Sequence, residues 1–277
     1  MKVDGKKIAA EIRETLAAAF TTLENPARAV VFVLSEDDVT RQYIGIKEKI
    51  GAALGVRVTV ERMPKETTIE ELVRAIDDAT ALCEGMVIQL PLPAHIDVET
   101  VRNALPRTHD IDCLGTVAFD DFTAGTGIIM PPVIAAYEHI LLTNGVALKG
   151  KKAVVVGRGR LVGAPAAIWF ARQGANVEVC DEYTKDLSAH TKDADIIILG
   201  AGVPGLLTPS MVKDGVAILD AGASESGGKV VGDADPACEK KASLFTPVPG
   251  GIGPVAIAML FSNLYTLATD RDEEPGN

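Results

Sequence analysis

Tyr43 and Lys47 lie four residues apart in an amphipathic stretch, residues 41–54, so on a helix they share one face. A helical lysine is ordinarily a solvated surface group. Gln89 gives Lys47 another reading. It stands at the carboxyl end of an apolar run, residues 85–90 (GMVIQL), with the character of a buried parallel strand. Parallel sheets take ligands at that end of their strands. Pro91 and Pro93 follow, ending the strand and stiffening the loop, which fixes where Gln89 points. A lysine beside a glutamine amide in a partly closed cleft has a tunable proton affinity, the requirement for acid–base work.

A second set of residues suits an anion. KAVVVGRGRLVGAPAA, residues 152–167, reads as a buried strand, a turn carrying Gly157, Arg158, Gly159, Val162 and Gly163, and a helix. Glycines let a tight turn bring backbone close to a pyrophosphate, which would rest at the helix N-terminus. The spacing is one residue longer than the usual fingerprint. A second strand ends in Cys180-Asp181-Glu182, where an acidic side chain can accept from an adenosine ribose hydroxyl and would repel a 2′-phosphate. Those carboxylates favour NAD; Arg158 argues the other way. The loop Gly200-Ala201-Gly202-Val203-Pro204 follows another strand end and is expected to border the cofactor.

The elements that must position these groups alternate. Strands are expected over residues 29–34, 56–60, 85–90, 153–156, 176–180, 195–199 and 216–220, helices over 5–20, 41–54, 69–81, 132–143, 163–172 and 253–269. Such alternation predicts parallel sheets covered by helices. The pattern restarts near residue 150, and residues 113–132, rich in Gly, Asp, Thr and Pro, show no clear period. The expected fold is α/β and two-lobed: an N-terminal αβ substrate lobe with parallel strands and a C-terminal Rossmann-type dinucleotide-binding lobe, joined by long helices. The lobes are expected over 1–131, with a helix from about 253 to 277 returning to it, and over 132–252. The tail, residues 270–277, is acidic and expected to fray.

Composition narrows the function classes. The 277 residues are 47% hydrophobic and 23% charged, a globular balance. Lys plus Arg is 27 against 38 Asp plus Glu, a net charge of −11, and aromatics are 4%, so a nucleic-acid surface is not expected. Cys83, Cys113, Cys180 and Cys238 are too scattered for a zinc ribbon or disulfide framework, and His95, His109, His139 and His190 form no ligand cluster; no metal is expected. The N-terminus has no apolar signal core, and no run is expected to approach the ~18 apolar residues of a membrane span. The reading is a soluble, cytoplasmic protein without a membrane partner.

Several segments together resemble the bifunctional methylenetetrahydrofolate dehydrogenase/methenyltetrahydrofolate cyclohydrolases. TRQYIGIK (40–47) matches that family's Ser-x-x-Tyr-x-x-x-Lys, VIQLPLP (87–93) its VQLPLP, and Asp110-Ile111-Asp112 its Asp-Val-Asp. Gly157 to Pro165 matches GRSxxVGxP, and GKVVGD (228–233) and TPVPGGIGP (246–254) its closing motifs. The resemblance implies oxidation of 5,10-methylenetetrahydrofolate by hydride transfer to NADP or NAD, then hydrolysis of the methenyl product to 10-formyltetrahydrofolate, within one-carbon metabolism. It implies that Lys47 assists the proton and water chemistry, that Gln89 orients Lys47, that Tyr43 lies against the folate ring, and that Asp112 holds pterin nitrogens. Leu90, Pro91, Pro249, Gly250 and Gly251 would complete the substrate site. Gly157, Arg158, Gly159, Val162, Gly163, Asp181, Glu182, Gly200, Gly202 and Pro204 would hold the cofactor. A homodimer through the nucleotide-binding lobes is also implied.

The chain departs from the pattern mostly on the cofactor side. Gly159 stands for Ser, Pro131 for Thr, Ala223-Ser224 for Ile-Asn, and Thr40 for Ser. Cys113 replaces a glycine, and a positive φ there would require the loop to be rebuilt. Retained folate chemistry with NAD slightly favoured is the main expectation. The alternatives are a dehydrogenase with weakened or lost cyclohydrolase, and a silent folate-binding subunit. A dehydrogenase acting on another substrate would leave the QLPLP segment unexplained.

Overall fold

A computed structural model describes residues 1–35 and 38–273. In chain order the elements are α1 (Gly5–Phe20), β1 (Arg28–Val33), α2 (Asp38–Ala53), β2 (Arg57–Arg62), α3 (Ile69–Ala79), β3 (Gly85–Ile88), α4 (Val98–Ala104), α5 (Thr116–Ala124) and α6 (Pro132–Thr143). There follow β4 (Lys152–Val156), α7 (Gly163–Arg172), β5 (Asn176–Cys180), α8 (Leu187–Thr191), β6 (Ile196–Leu199), β7 (Ala217–Asp220), β8 (Ser224–Ser226), β9 (Lys229–Val231), β10 (Leu244–Phe245) and α9 (Ile252–Glu273). They form two compact units, Glu11–Pro132 with 257–277, and Val133–Ala256 with Met1–Ala10. The chain passes between units inside α1, at the first residue of α6 and inside α9. Residues 1–10 were expected with the first lobe. They join the second because Lys2 bridges to Phe245 and Val3 N donates to Phe245 O at 2.8 Å. Residues 274–277 of the expected frayed tail lie outside the described residues.

In the first unit β2-β1-β3 form a parallel sheet. β1 is apolar and β-branched (RAVVFV) and buried from its second residue on, as a central strand covered on both faces must be. Leu16, Val31, Val33, Ile44, Val87, Phe261 and Leu264 pack on one side, and Phe32, Leu72, Ile76, Met86 and Ile88 on the other. The chain leaves β1 for β2 on one side and returns to β3 on the other, so the switch point lies at the carboxyl ends of β1 and β3. α3 starts with a capping box: Thr68 accepts from Glu71 N at 3.2 Å, and Thr68 N donates to the Glu71 carboxylate at 2.8 Å.

Residues 113–132 are not a loop throughout, as their lack of period had suggested. α5 occupies 116–124, buries Ala118, Phe119 and Phe122, and ends at Gly125 with φ 79°. Its N-cap is Gly115, with no side-chain cap, so the usual start signal is missing. Cys113 adopts φ 54° itself, so the loop keeps a left-handed residue without a glycine. Its thiol is buried and donates to Ala118 O at 3.3 Å.

The second unit carries a five-stranded parallel sheet, β10-β7-β6-β4-β5. β4 has β5 on one side and β6 on the other, which makes the ends of β4 and β6 its switch point. β4, β6 and β7 are apolar runs with fully buried interiors. One expectation fails on length: Ile252–Asp270 reaches membrane-span length at a mean hydropathy of 1.4. More than half of it is buried inside the protein, and it carries a bonded asparagine, Asn263, the pattern of a core helix.

Candidate active site

In the first unit α2 follows β1 and brings Lys47 to Gln89, the first residue beyond β3. Lys47 Nζ donates to Gln89 Oε1 at 2.9 Å. Gln89 Nε2 donates to Leu90 O at 2.9 Å, and Gln89 N to Phe32 O at 2.9 Å. The Leu90 carbonyl therefore decides which way the amide faces, and it turns the acceptor oxygen to the lysine. The Leu90–Pro91 peptide is cis. Burial pulls the Lys47 pKa below its ordinary value, and Asp112 pulls the other way. Burial also raises Asp112, with Lys47 opposing. The pair is thus close enough for each charge to set the other's proton affinity. Tyr43 is half-buried, one helical turn before Lys47, and packs on the core that holds Ile44 and Phe261.

Two supports of this site were not read from sequence. Asp110 is buried and accepts from Leu114 N at 3.2 Å and Gly115 N at 2.7 Å, shaping the turn after Asp112. Burial, then the charge of Asp112, raises its pKa to about 6 against the Gly115 hydrogen bond. Asn263 on α9 donates to Ile111 O and Met130 O, both at 2.9 Å. The asparagine inside an apolar helix is the only hint the sequence offers of this tie. A cavity of about 490 Å³ in the same unit is lined by Leu23, Arg28, Arg57, Glu84 and Ala268. It sits at the opposite, amino ends of β1–β3, away from Gln89.

In the second unit the glycine turn lies at the switch point. Gly157 has φ 105°, and a Cβ there would sit 2.6 Å from Gly200 O; one on Gly163 would sit 2.0 Å from Gly157 O. These two positions need glycine. Gly159 does not: a Cβ would meet nothing nearer than 3.9 Å. α7 starts with Val162 as N-cap and no side chain over its end. Backbone packed this closely beside an uncapped helix start is the cradle a pyrophosphate needs, so these residues fit a dinucleotide. Arg158 and Asp181, which the sequence set against each other, are an ion pair, Nε to Oδ2 3.0 Å. The other Asp181 oxygen accepts from Tyr183 N at 3.1 Å and the Thr184 hydroxyl at 3.3 Å. Asp181 is therefore engaged, and Glu182 beside it is exposed. Pro249, Gly250 and Gly251 are in this unit rather than with Lys47, in a turn before α9 where Gly5 N donates to Gly250 O at 3.0 Å.

Tyr137 on α6 is fully buried, and its hydroxyl has no hydrogen-bond partner among the described residues. Burial, then Asp220 and Asp233, pushes its pKa well up. An orphaned buried hydroxyl costs about 1–3 kcal/mol. Tyr137→Phe is expected to raise stability by about 1 kcal/mol in a denaturant melt. A loss of that size would mean the hydroxyl is bonded in solution. Among the described residues no group of three His, Cys, Asp or Glu side chains could hold a metal ion.

A sheet carrying a lysine–glutamine–carboxylate site, and a parallel sheet with a glycine cradle at its switch point, define a two-domain α/β enzyme of the dinucleotide-using class. Residues 3–112 match the catalytic-domain model, and residues 131–272 the NAD(P)-binding-domain model, of tetrahydrofolate dehydrogenase/cyclohydrolase. The chain is 37% identical over 271 residues to the bifunctional protein FolD of Halothermothrix orenii, covering 94% of this chain and 95% of that one. Its structure is similar to that of the bifunctional FolD of Campylobacter jejuni, with TM-score 0.93, 33% identity and 98% and 99% of the two chains covered. It is also similar to the Trypanosoma brucei FolD solved with NADP and an inhibitor, with TM-score 0.93, 30% identity and 99% and 98% covered. The chain belongs to the tetrahydrofolate dehydrogenase/cyclohydrolase family.

Proposed function

We propose that Lys47, held by Gln89, performs the proton chemistry of methenyl hydrolysis in this dehydrogenase/cyclohydrolase. The observation that carries this is the 2.9 Å Lys47–Gln89 bond at the sheet's switch point. Hydrolysis adds water to the methenyl carbon. Lys47, as the neutral amine that burial favours, accepts the water proton as the new C–O bond forms. The resulting hydroxyl then loses its proton as the C=O forms and the ring C–N bond breaks, the ring nitrogen takes that proton, and the proton on Lys47 passes to water, leaving the 10-formyl compound. Asp112 accepts hydrogen bonds from pterin nitrogens, and Tyr43 offers its ring face to the pterin. Leu90 and Pro91, next to Gln89 in the first unit, belong to the substrate site on this reading. The Cys113 loop, the ground for considering a weakened hydrolysis, keeps its left-handed turn, which favours two retained activities over one.

The nicotinamide cofactor, when bound, accepts a hydride from the methylene carbon. Gly157, Gly163 and Val162 would hold its pyrophosphate, with Gly159, Gly200, Gly202 and Pro204 alongside. Arg158 spends its charge on Asp181, and Glu182 adds an exposed negative charge, so NAD is the proposed preference. Assays on 5,10-methylenetetrahydrofolate with NAD and with NADP test this, together with decay of added methenyl compound. Asp181→Ser with Glu182→Arg frees Arg158 and reverses the charge. It should raise the NADP/NAD ratio of kcat/KM at least tenfold; an unchanged ratio refutes the electrostatic account. Tetrahydrofolate derivatives and a second copy of the chain are the proposed partners, and β5, an edge of the sheet among the described residues, lies in the lobe proposed to dimerise.

A further inference from the structure

Two motifs have no role in the chemistry above, the Asp-x-Gly of residues 220–222 and the Gly-Asp of residues 232–233. Both aspartates are buried, Asp233 at 0% exposure. They interlock. A Cβ on Gly222 would lie 2.2 Å from Asp233 Cγ, and one on Gly232 would lie 2.3 Å from Asp220 Oδ2. Asp220 accepts from Gly222 N and Ala234 N, both at 2.9 Å. It thereby pins the backbone next to Asp233. Asp233 turns outward to another segment: its Oδ2 accepts from Ala201 N at 2.7 Å and Gly202 N at 3.1 Å, its Oδ1 from Val203 N at 2.8 Å.

Residues 201–203 are exposed. Backbone N–H groups of an exposed loop ordinarily go to water. Here three successive ones converge on one buried carboxylate, a charge-assisted arrangement of the kind that fixes a loop's shape. Ser224 ties the same loop from outside, its hydroxyl donating to Gly202 O at 2.9 Å. On its other side the loop backs the glycine cradle: the Cβ position of Gly157 is 2.6 Å from Gly200 O and 3.0 Å from Ala201 N. A side chain at position 157 would therefore collide with the loop, and the two backbones pack directly against each other.

We infer that Asp233, seconded by Ser224, is a positioning residue for the dinucleotide, holding the 201–203 loop in the shape that the Gly157 turn requires. It reaches the cofactor only through that loop. This rests on the dinucleotide reading of the second unit, so wild-type enzyme is the first control: no dinucleotide-dependent oxidation there would sink that reading and leave Asp233 aside.

The test exploits the two activities, since methenyl hydrolysis consumes water and no hydride acceptor. Asp233→Asn keeps the shape but turns a donor toward N–H groups. The expected result is a rise of tenfold or more in dinucleotide KM, with hydrolysis measured without dinucleotide staying within twofold. Amide exchange should quicken at 201–203 while β4 and β6 stay protected. An unchanged KM overturns the inference. So does a parallel fall of both activities with exchange quickened throughout the unit, which would make Asp233 a fold-holding group only. Should Asp233→Asn fail to fold, Ser224→Ala, at an exposed tie, carries the test. It should raise the dinucleotide KM about threefold, and no rise would overturn the loop's part in cofactor affinity.

Discussion

Lys47→Met is expected to slow methenyl hydrolysis by two to four orders of magnitude, the usual loss when a positioned acid–base group is removed. Methionine keeps the length and apolar stem of the side chain, so α2 keeps its packing and only the amine is lost. Methylene oxidation should fall far less, within about tenfold, because hydride transfer moves no proton through Lys47; its loss there is one of position. The decay of methenyl absorbance, read beside formation of reduced cofactor, separates the two. Equal losses in both would place Lys47 in binding rather than in proton transfer. The pH profile gives a sharper discrimination. The amine must be neutral to accept a proton, so hydrolysis should rise with pH through the Lys47 pKa, which burial sets below the ordinary lysine value. Gln89→Glu puts a negative charge on the atom that now accepts at 2.9 Å. That charge favours the ammonium form, and the rising limb should move to higher pH. A limb that stays in place would remove Lys47 from the titration.

How much of this was readable beforehand follows from which signals are local. β4, β5 and α7 were legible because β-branched runs and a glycine turn sit next to one another in the chain, and the observed bounds of α7 and β5 match those expected. Lys47 and Gln89 were legible because each carries its own geometry, a helix spacing and a strand end. α5 was hidden because Thr and Asp dominate its surface and Gly115 cannot cap it. Gly125 with Phe119 and Phe122 was the available signal. The remaining misses are tertiary. Asn263 donates to Ile111, 152 residues away in sequence, and Asp233 reaches loop 201–203 across 30 to 32. Neither partner can be told from one-dimensional spacing. The sequence points Arg158 and Asp181 each at a ligand, whereas in the fold they face each other.

The protein is expected to be more stable near pH 5 than at pH 7.5, against the common pattern for carboxylates. Asp110 and Asp220 are each buried, one in each unit, and burial raises each to about 6 from an unfolded value of 3.8. Between those two pH values the folded chain holds protons that the unfolded chain has released. Unfolding then releases protons, so its free energy falls as pH rises. The stabilisation is fully present below the unfolded value and is lost as pH passes the folded one. Most of each shift acts below pH 5, so between pH 5 and pH 7.5 about one pH unit counts, about 1.4 kcal/mol for each group as an upper figure. A melting difference of about 5 °C follows for domains of this size. The carboxylates shifted the other way act elsewhere on the pH axis. Hydrogen bonds from Lys213 and His190 lower Asp195 and Glu178, so their contribution is lost only as pH falls below the ordinary carboxylate range. The net charge of −11 also disfavours the compact state at neutral pH, and in the same direction. Salt separates the two causes. At 0.5 M salt, with a Debye length of about 4–5 Å, repulsion between surface charges is screened and the burial of two carboxyls is not. Melts that remain several degrees higher at pH 5 than at pH 7.5 in high salt identify the buried pair as the source. Melts that become level there assign the whole effect to surface charge, and melts that rise toward pH 7.5 contradict the raised carboxyls altogether.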